Sequence, residues 1–174
     1  NLDYLHYDFS GNQLLDGFSF SPNGIFLSKN NIKNTLPLTI DIYSARVDYT
    51  SQLGNYIKLE TGLKSSVVKT NNTSDFFSLM NNQWVTDSVN SNAFNYSENI
   101  NAGYVNLNKT FGKWTAQAGL RLENTIYKGV QTALSQQPDS SFNRSYFSLF
   151  PSAFISYEAN EINRYALSVS RRID

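Results

Sequence analysis

The chain contains no cysteine, which excludes disulfide staples, thiolate metal sites and a cysteine nucleophile. The compartment stays open, because disulfides are optional outside the cytoplasm. His6 is the single histidine. Without cysteine it starts no zinc or iron site, and serine–histidine hydrolysis needs a base oriented by a third group. A structural or exposed role is expected for His6, and no catalytic residue, metal or cofactor is expected anywhere. No run of about 20 apolar residues occurs, which excludes a membrane-spanning helix. Lysine plus arginine and aspartate plus glutamate balance at 14 each, so the basic footprint of a nucleic-acid-binding protein is missing. The opening residues Asn1-Leu2-Asp3-Tyr4 carry neither a basic nor an apolar leader, so any signal peptide is expected to have been removed or to lie upstream.

What is abundant points to strands. Aromatics make up 14% of residues, with 11 Tyr and 12 Phe, and asparagine and serine fill the stretches between them; this mixture favours strands and polar loops over helices. Period-two alternation begins clearly at Thr39–Thr50, where Tyr43, Ala45, Val47 and Tyr49 oppose Ser44, Arg46 and Asp48. A short connection leads to Tyr56–Lys69, with Ile57, Leu59, Leu63 and Val67 against Lys58, Glu60 and Lys64. A third strand, Glu98–Phe111, turns at Gly112-Lys113 into Trp114–Lys128, where Trp114, Ala116, Ala118, Leu120 and Leu122 oppose Gln117, Arg121 and Glu123. A fifth, Arg144–Glu158, turns through Ala159-Asn160-Glu161-Ile162 into a sixth running to Ile173. Residues 2 to 9 suit the end of an earlier strand. In the third strand Ile100, Ala102 and Tyr104 compete with Val105 and Leu107 for the outward face.

Residues 10–38, 70–97 and 129–143 read as long polar loops, so that connections alternate between long and short. Soluble sheets use strands of about 5 or 6 residues, whereas these segments run to about 11–15, enough to cross hydrocarbon at a tilt. The expected fold is an all-β, antiparallel up-and-down meander of about six to seven long strands, part of a transmembrane β-barrel, with its short turns on the periplasmic side.

Three segments, IYSARVDYT (Ile42–Thr50), AGLRLENT (Ala118–Thr125) and YFSLFPSAFISYEANEINRYALSVSRRID (Tyr146–Asp174), resemble the TonB-dependent receptor-like outer-membrane β-barrel proteins of Bacteroidetes. The last resembles a strand, a periplasmic turn and a return strand ending in an Arg-Arg motif. The resemblance implies that residues 1–174 are a partial barrel domain, an interior piece without plug, signal peptide or C-terminal strand. The parent would be a plugged 22-stranded barrel in the bacterial outer membrane. It also implies uptake of a siderophore, vitamin or glycan, energised through TonB, with the plug domain and outer-membrane lipid as partners and ligand contacts on the long loops.

The pairs Arg46 with Asp48, Lys58 with Glu60 and Arg121 with Glu123 suggest charge-balanced rows on a lumen-facing wall rather than acid–base machinery; Asp41, Glu158 and Glu161 are the other carboxylates weighed. Trp114, Tyr127, Tyr157 and Tyr165 fall near strand ends, where amphipathic rings sit at a membrane interface. Arg171 and Arg172 are strand-end cations suited to lipopolysaccharide or plug contacts. The rival reading is a soluble secreted β-sheet module that binds carbohydrate or protein, its aromatics forming a core or a sugar platform.

Overall fold

The computed structural model describes residues 1–54, 56–135 and 138–171. All its regular elements are strands: β1 (Leu2–Phe20), β2 (Phe26–Leu53), β3 (Ile57–Met80), β4 (Gln83–Thr86), β5 (Asn92–Phe111), β6 (Trp114–Ala133), β7 (Ser140–Glu158) and β8 (Arg164–Ser170). They form one antiparallel meander in the order β1-β2-β3-β5-β6-β7-β8, with the short β4 folded back on β3. The expected strands are all present, and residues 2 to 9 do belong to an earlier one. Arg172 and Ile173 lie outside the described residues.

The three long loops need correction. Most of residues 10–38 extends β1 and β2, paired from Leu2↔Ala45 up to Phe20↔Phe26. Most of 70–97 belongs to β3, β4 and β5, and 129–143 largely to β6 and β7. These arms project past the zone where one face is apolar. Both of their faces meet water, so selection for alternation disappears while the backbone ladder still pairs. A polar strand then looks like a loop in sequence. Among the described residues the true connections are the tips: residues 21–25, Asn81-Asn82, the 87–91 turn, and residues 134, 135, 138 and 139. Asn81 and Asn82 both take positive φ (49° and 63°), the left-handed conformation that a two-residue hairpin loop requires and asparagine tolerates. In the 87–91 turn the Asp87 carboxylate accepts from the backbone N–H of Val89 and Asn90. Ser91, 1% exposed, accepts from Phe76 N–H at 2.9 Å and donates to the Asp87 carbonyl at 2.7 Å, which ties the start of β5 to β3.

At the opposite end the hairpins close tightly. Phe111 pairs with Trp114 across Gly112 (φ +56°) and Lys113. Lys113 Nζ donates to the Ala159 carbonyl at 2.7 Å and Glu158 N–H to the Lys113 carbonyl at 2.9 Å, so neighbouring turns are laced together. Along the ladders, successive turns step by roughly two residues per hairpin. At ~3.3 Å per residue, across two strand spacings of ~4.8 Å, that stagger corresponds to a strand tilt of roughly 35°.

The sheet has no apolar core. Ala102 is the one buried hydrophobic among the described residues. The accessible surface is 12685 Å², against roughly 8,600 Å² for a folded soluble monomer of this mass. The excess lies in the uncovered sheet faces and in the free edges of β1 and β8.

Candidate functional site

The registers are continuous from β2 to β8, so parity alone assigns each side chain to a face. On one face the row Val47↔Leu63↔Gly103↔Leu122↔Leu149 runs across the sheet. Tyr43, Ala45 and Tyr49 share this face on β2, as do Val105 and Leu107 on β5, Ala116, Ala118 and Leu120 on β6, Ile155 and Tyr157 on β7, and Leu167 and Val169 on β8. The competition in the third strand is thereby decided for Val105 and Leu107; Ala102 and Tyr104 turn to the opposite face. Val47 is 70% exposed and Leu167 67%, a burial state that water disfavours by about 25 cal/mol per Å². On β7 the apolar positions run from Phe147 to Tyr157, ten steps of ~3.3 Å that a tilt of roughly 35–45° reduces to a band about 25 Å tall.

Of the aromatics expected at an interface, three come together. Trp114, Tyr157 and Tyr165 form one cross-strand row at the short-turn edge of the band, with the Trp114 and Tyr157 rings 4.6 Å apart. Tyr127 does not join them. It sits an odd number of positions from Trp114, on the polar face and among the projecting arms, where it packs edge-on against Phe142 and Tyr146 at 5.9 and 6.1 Å. Position near a strand end was a sufficient signal for proximity to an edge, but only register assigns the face. A pair missed in the sequence, Tyr4 stacked on Tyr43 at 4.9 Å, marks the other edge of the band.

The opposite face carries all six expected charges. Arg46 Nε lies 2.6 Å from Asp48, Arg121 Nη2 lies 2.8 Å from Glu123, and Lys58 pairs with Glu60. Each pair is two residues apart on one strand, so both side chains share a face and neutralise each other locally. The Tyr104 hydroxyl donates to Asp48 by crossing above Gly62, its cross-strand neighbour. A Cβ at Gly62 would meet Asp48 Oδ1 at 2.5 Å, Tyr104 Cε1 at 2.6 Å and the Val47 carbonyl at 2.8 Å; glycine is what makes the crossing possible. Asp48, Glu60, Tyr104, Asn106 and Arg121 line a polar concavity of about 520 Å³. Higher on this face, Phe94 stacks on Tyr96 at 6.5 Å, and the Phe142 ring covers Gly129. Together with Tyr127 and Tyr146 these rings form an aromatic patch beyond the charged rows.

His6 Nδ1 lies 2.8 Å from Asp41, which also accepts from the Tyr4 hydroxyl at 2.9 Å. No oriented nucleophile accompanies them, and no three His, Cys, Asp or Glu side chains converge on a metal position among the described residues. Glu158 faces Arg164 at 3.9 Å, and the Arg171 guanidinium donates to the Leu149 carbonyl at 3.2 Å. Glu161 stands in the exposed β7–β8 turn.

Among solved structures, the ferric yersiniabactin uptake receptor FyuA from Yersinia pestis matches with a TM-score of 0.50 and 11% identity, covering 92% of this chain and 24% of that one. The ferric citrate transporter FecA (TM-score 0.48, 14% identity) and the siderophore receptor PiuA from Acinetobacter baumannii (0.46, 12%) each match over 92% of the chain. The chain thus spans about a quarter of the length of these receptors. No curated protein matches it in sequence. The sequence profile of the outer membrane protein beta-barrel family matches residues 1–174. With an all-β meander, one apolar face of bilayer height and that match over its whole length, the chain belongs to the outer membrane protein beta-barrel family.

Proposed function

We propose that this chain is part of the wall of a TonB-dependent outer-membrane receptor that takes up a siderophore, vitamin or glycan. The observation that carries the reading is the segregation of faces. On β7 the outward face is apolar over about 25 Å, and on β2, β3, β5 and β6 the same face is mainly apolar, with Ser65, Asn101 and Asn124 as its polar interruption, while the other face holds ion-paired charges. In this reading the apolar face meets outer-membrane lipid, Trp114, Tyr157 and Tyr165 lie at the periplasmic interface, and Arg46, Asp48, Lys58, Glu60, Arg121 and Glu123 face the lumen and its plug. The free edges of β1 and β8 pair with further strands of a larger barrel, since open edges are not tolerated in hydrocarbon. The aromatic patch of Phe94, Tyr96, Tyr127, Phe142 and Tyr146 stands at the extracellular mouth. Flat rings there suit a catechol, a corrin or a pyranose face.

Outer-membrane location sets aside the soluble secreted module, and the uncovered apolar face agrees. The test uses the full-length protein containing this chain. It is expected to fractionate with the outer membrane, to migrate differently on a gel with and without boiling, and to support uptake of a labelled ligand that stops when TonB is deleted. Uptake independent of TonB would overturn the receptor reading and leave the barrel.

A further inference from the structure

We propose that the lipid-facing surface of β3, β5 and β6 holds one phosphorylated outer-leaflet lipid in a built groove. The inference rests on the assignment of that face to lipid. Gly103, without a side chain, forms the floor between Leu63 and Leu122, its row neighbours. With Val47 and Phe147 they enclose a groove of about 480 Å³, a volume in the range of small-molecule sites. A continuous sheet surface would have been filled at this position, as its four neighbours in the row are Val or Leu.

The rim above the groove is polar where the band should still be apolar. The next row up is Ala45↔Ser65↔Asn101↔Asn124↔Phe147. Ser65 Oγ donates to the Asn101 side-chain oxygen Oδ1 at 2.7 Å, and Asn101 Nδ2 donates to Asn99 Oδ1. These bonds satisfy the Asn101 carboxamide, whereas that of Asn124, its row neighbour, has no hydrogen bond among the described residues and is costly in hydrocarbon unless something pairs with it. Further up the same face, Lys69 and Lys128 flank Ser97 in one cross-strand row. Two strand spacings of ~4.8 Å separate them, so both ammonium groups reach one phosphate. Neither is in a salt bridge among the described residues. Asp41, opposite Lys69 in the register, is bonded by His6 and Tyr4 and also attracts the Lys69 ammonium, whereas Lys128 has Ser97 and Asn143 opposite it and no carboxylate. Apolar groove, amide rim and cation pair stack along the strand in the order of an acyl chain, its polar linkage and a phosphorylated headgroup.

The test measures lipid retention by native mass spectrometry on the full-length protein, detergent-exchanged and then loaded with bisphosphorylated hexa-acyl lipid A or with phosphatidylethanolamine. Wild type is expected to keep one lipid A and to release phosphatidylethanolamine. The double variant Lys69→Ala/Lys128→Ala is expected to bind lipid A about 25-fold more weakly, each lysine contributing about fivefold. Gly103→Leu fills the groove and is expected to abolish retention while both lysines are intact. Millimolar inorganic phosphate is expected not to displace the lipid; displacement by phosphate alone would show an ion site and overturn the proposal. Equal retention of the two lipids, or unchanged retention in both variants, would also overturn it. Heat-modifiable migration is scored on every sample. A wild type without the shift defeats the barrel assignment, whereas shifted protein without lipid defeats this proposal alone.

Discussion

Gly62→Ala is the sharpest perturbation of the polar face. The added methyl meets the Asp48 carboxylate, the Tyr104 ring and the Val47 carbonyl at 2.5, 2.6 and 2.8 Å. The first two can swing away only by giving up the Tyr104–Asp48 hydrogen bond; the third is backbone of a paired strand and cannot. Overpacking costs about 1–3 kcal/mol, and loss of a hydrogen bond to a charged group adds about 1 kcal/mol or more at this partly solvated position. A destabilisation of roughly 2–4 kcal/mol follows. Gly103→Ala, in the same strand neighbourhood but on the other face, meets only the mobile Leu63 Cδ2 at 3.3 Å. It is expected to be neutral or slightly stabilising, as alanine for glycine in a strand is worth about 0.5–1 kcal/mol. Guanidinium unfolding of the full-length protein from lipid vesicles, followed by tryptophan fluorescence, measures both. In a Tyr104→Ala background the Gly62→Ala penalty should fall by the ring clash and the lost hydrogen bond, about 1 kcal/mol or more, while the part set by the Val47 carbonyl remains. If the two alanines cost the same within about 0.5 kcal/mol, the register that places Tyr104 over Gly62 is wrong.

Two further outcomes check the face assignment and the 87–91 turn. Leu120→Arg, near the middle of the apolar band, is expected to cost about 2–4 kcal/mol in the same unfolding assay, whereas Gln117→Arg on the polar face stays within about 0.5 kcal/mol; the reverse order would exchange lipid and lumen. In the 87–91 turn, hydrogen bonds from the Asn90 side chain, then from the backbone of Asn90 and Val89, hold the Asp87 carboxyl below its usual 3.8. A depressed folded value means that the turn's stabilisation is present above pH 3.8 and lost as pH falls through the lower folded value. Deuterium exchange over residues 83–92, corrected for intrinsic rates, should therefore accelerate below that pH in wild type; in Asp87→Ala it should be fast already at neutral pH and flat with pH.

The alternation of Ala116, Ala118, Leu120 and Leu122 with Gln117, Arg121 and Glu123 determined, without any structure, that these strands separate two environments, because side chains on a strand have period two and one face had to be apolar. The lengths and the tight turn at Gly112 carried the meander with them. Alternation failed as a guide above the band: in residues 10–38 and 70–97 water meets both faces, so nothing in the side chains marks a strand that only the paired backbone ladder holds. Position along a strand suggested an interface for both Trp114 and Tyr127, yet parity against the neighbouring strands put them on opposite faces. Tertiary structure alone decided register, and register is what laid Tyr104 across Gly62 to Asp48, opened the gap over Gly103 and aligned Lys69 with Lys128, since contacts between strands well separated along the chain are fixed by the ladder and leave no local trace in the sequence.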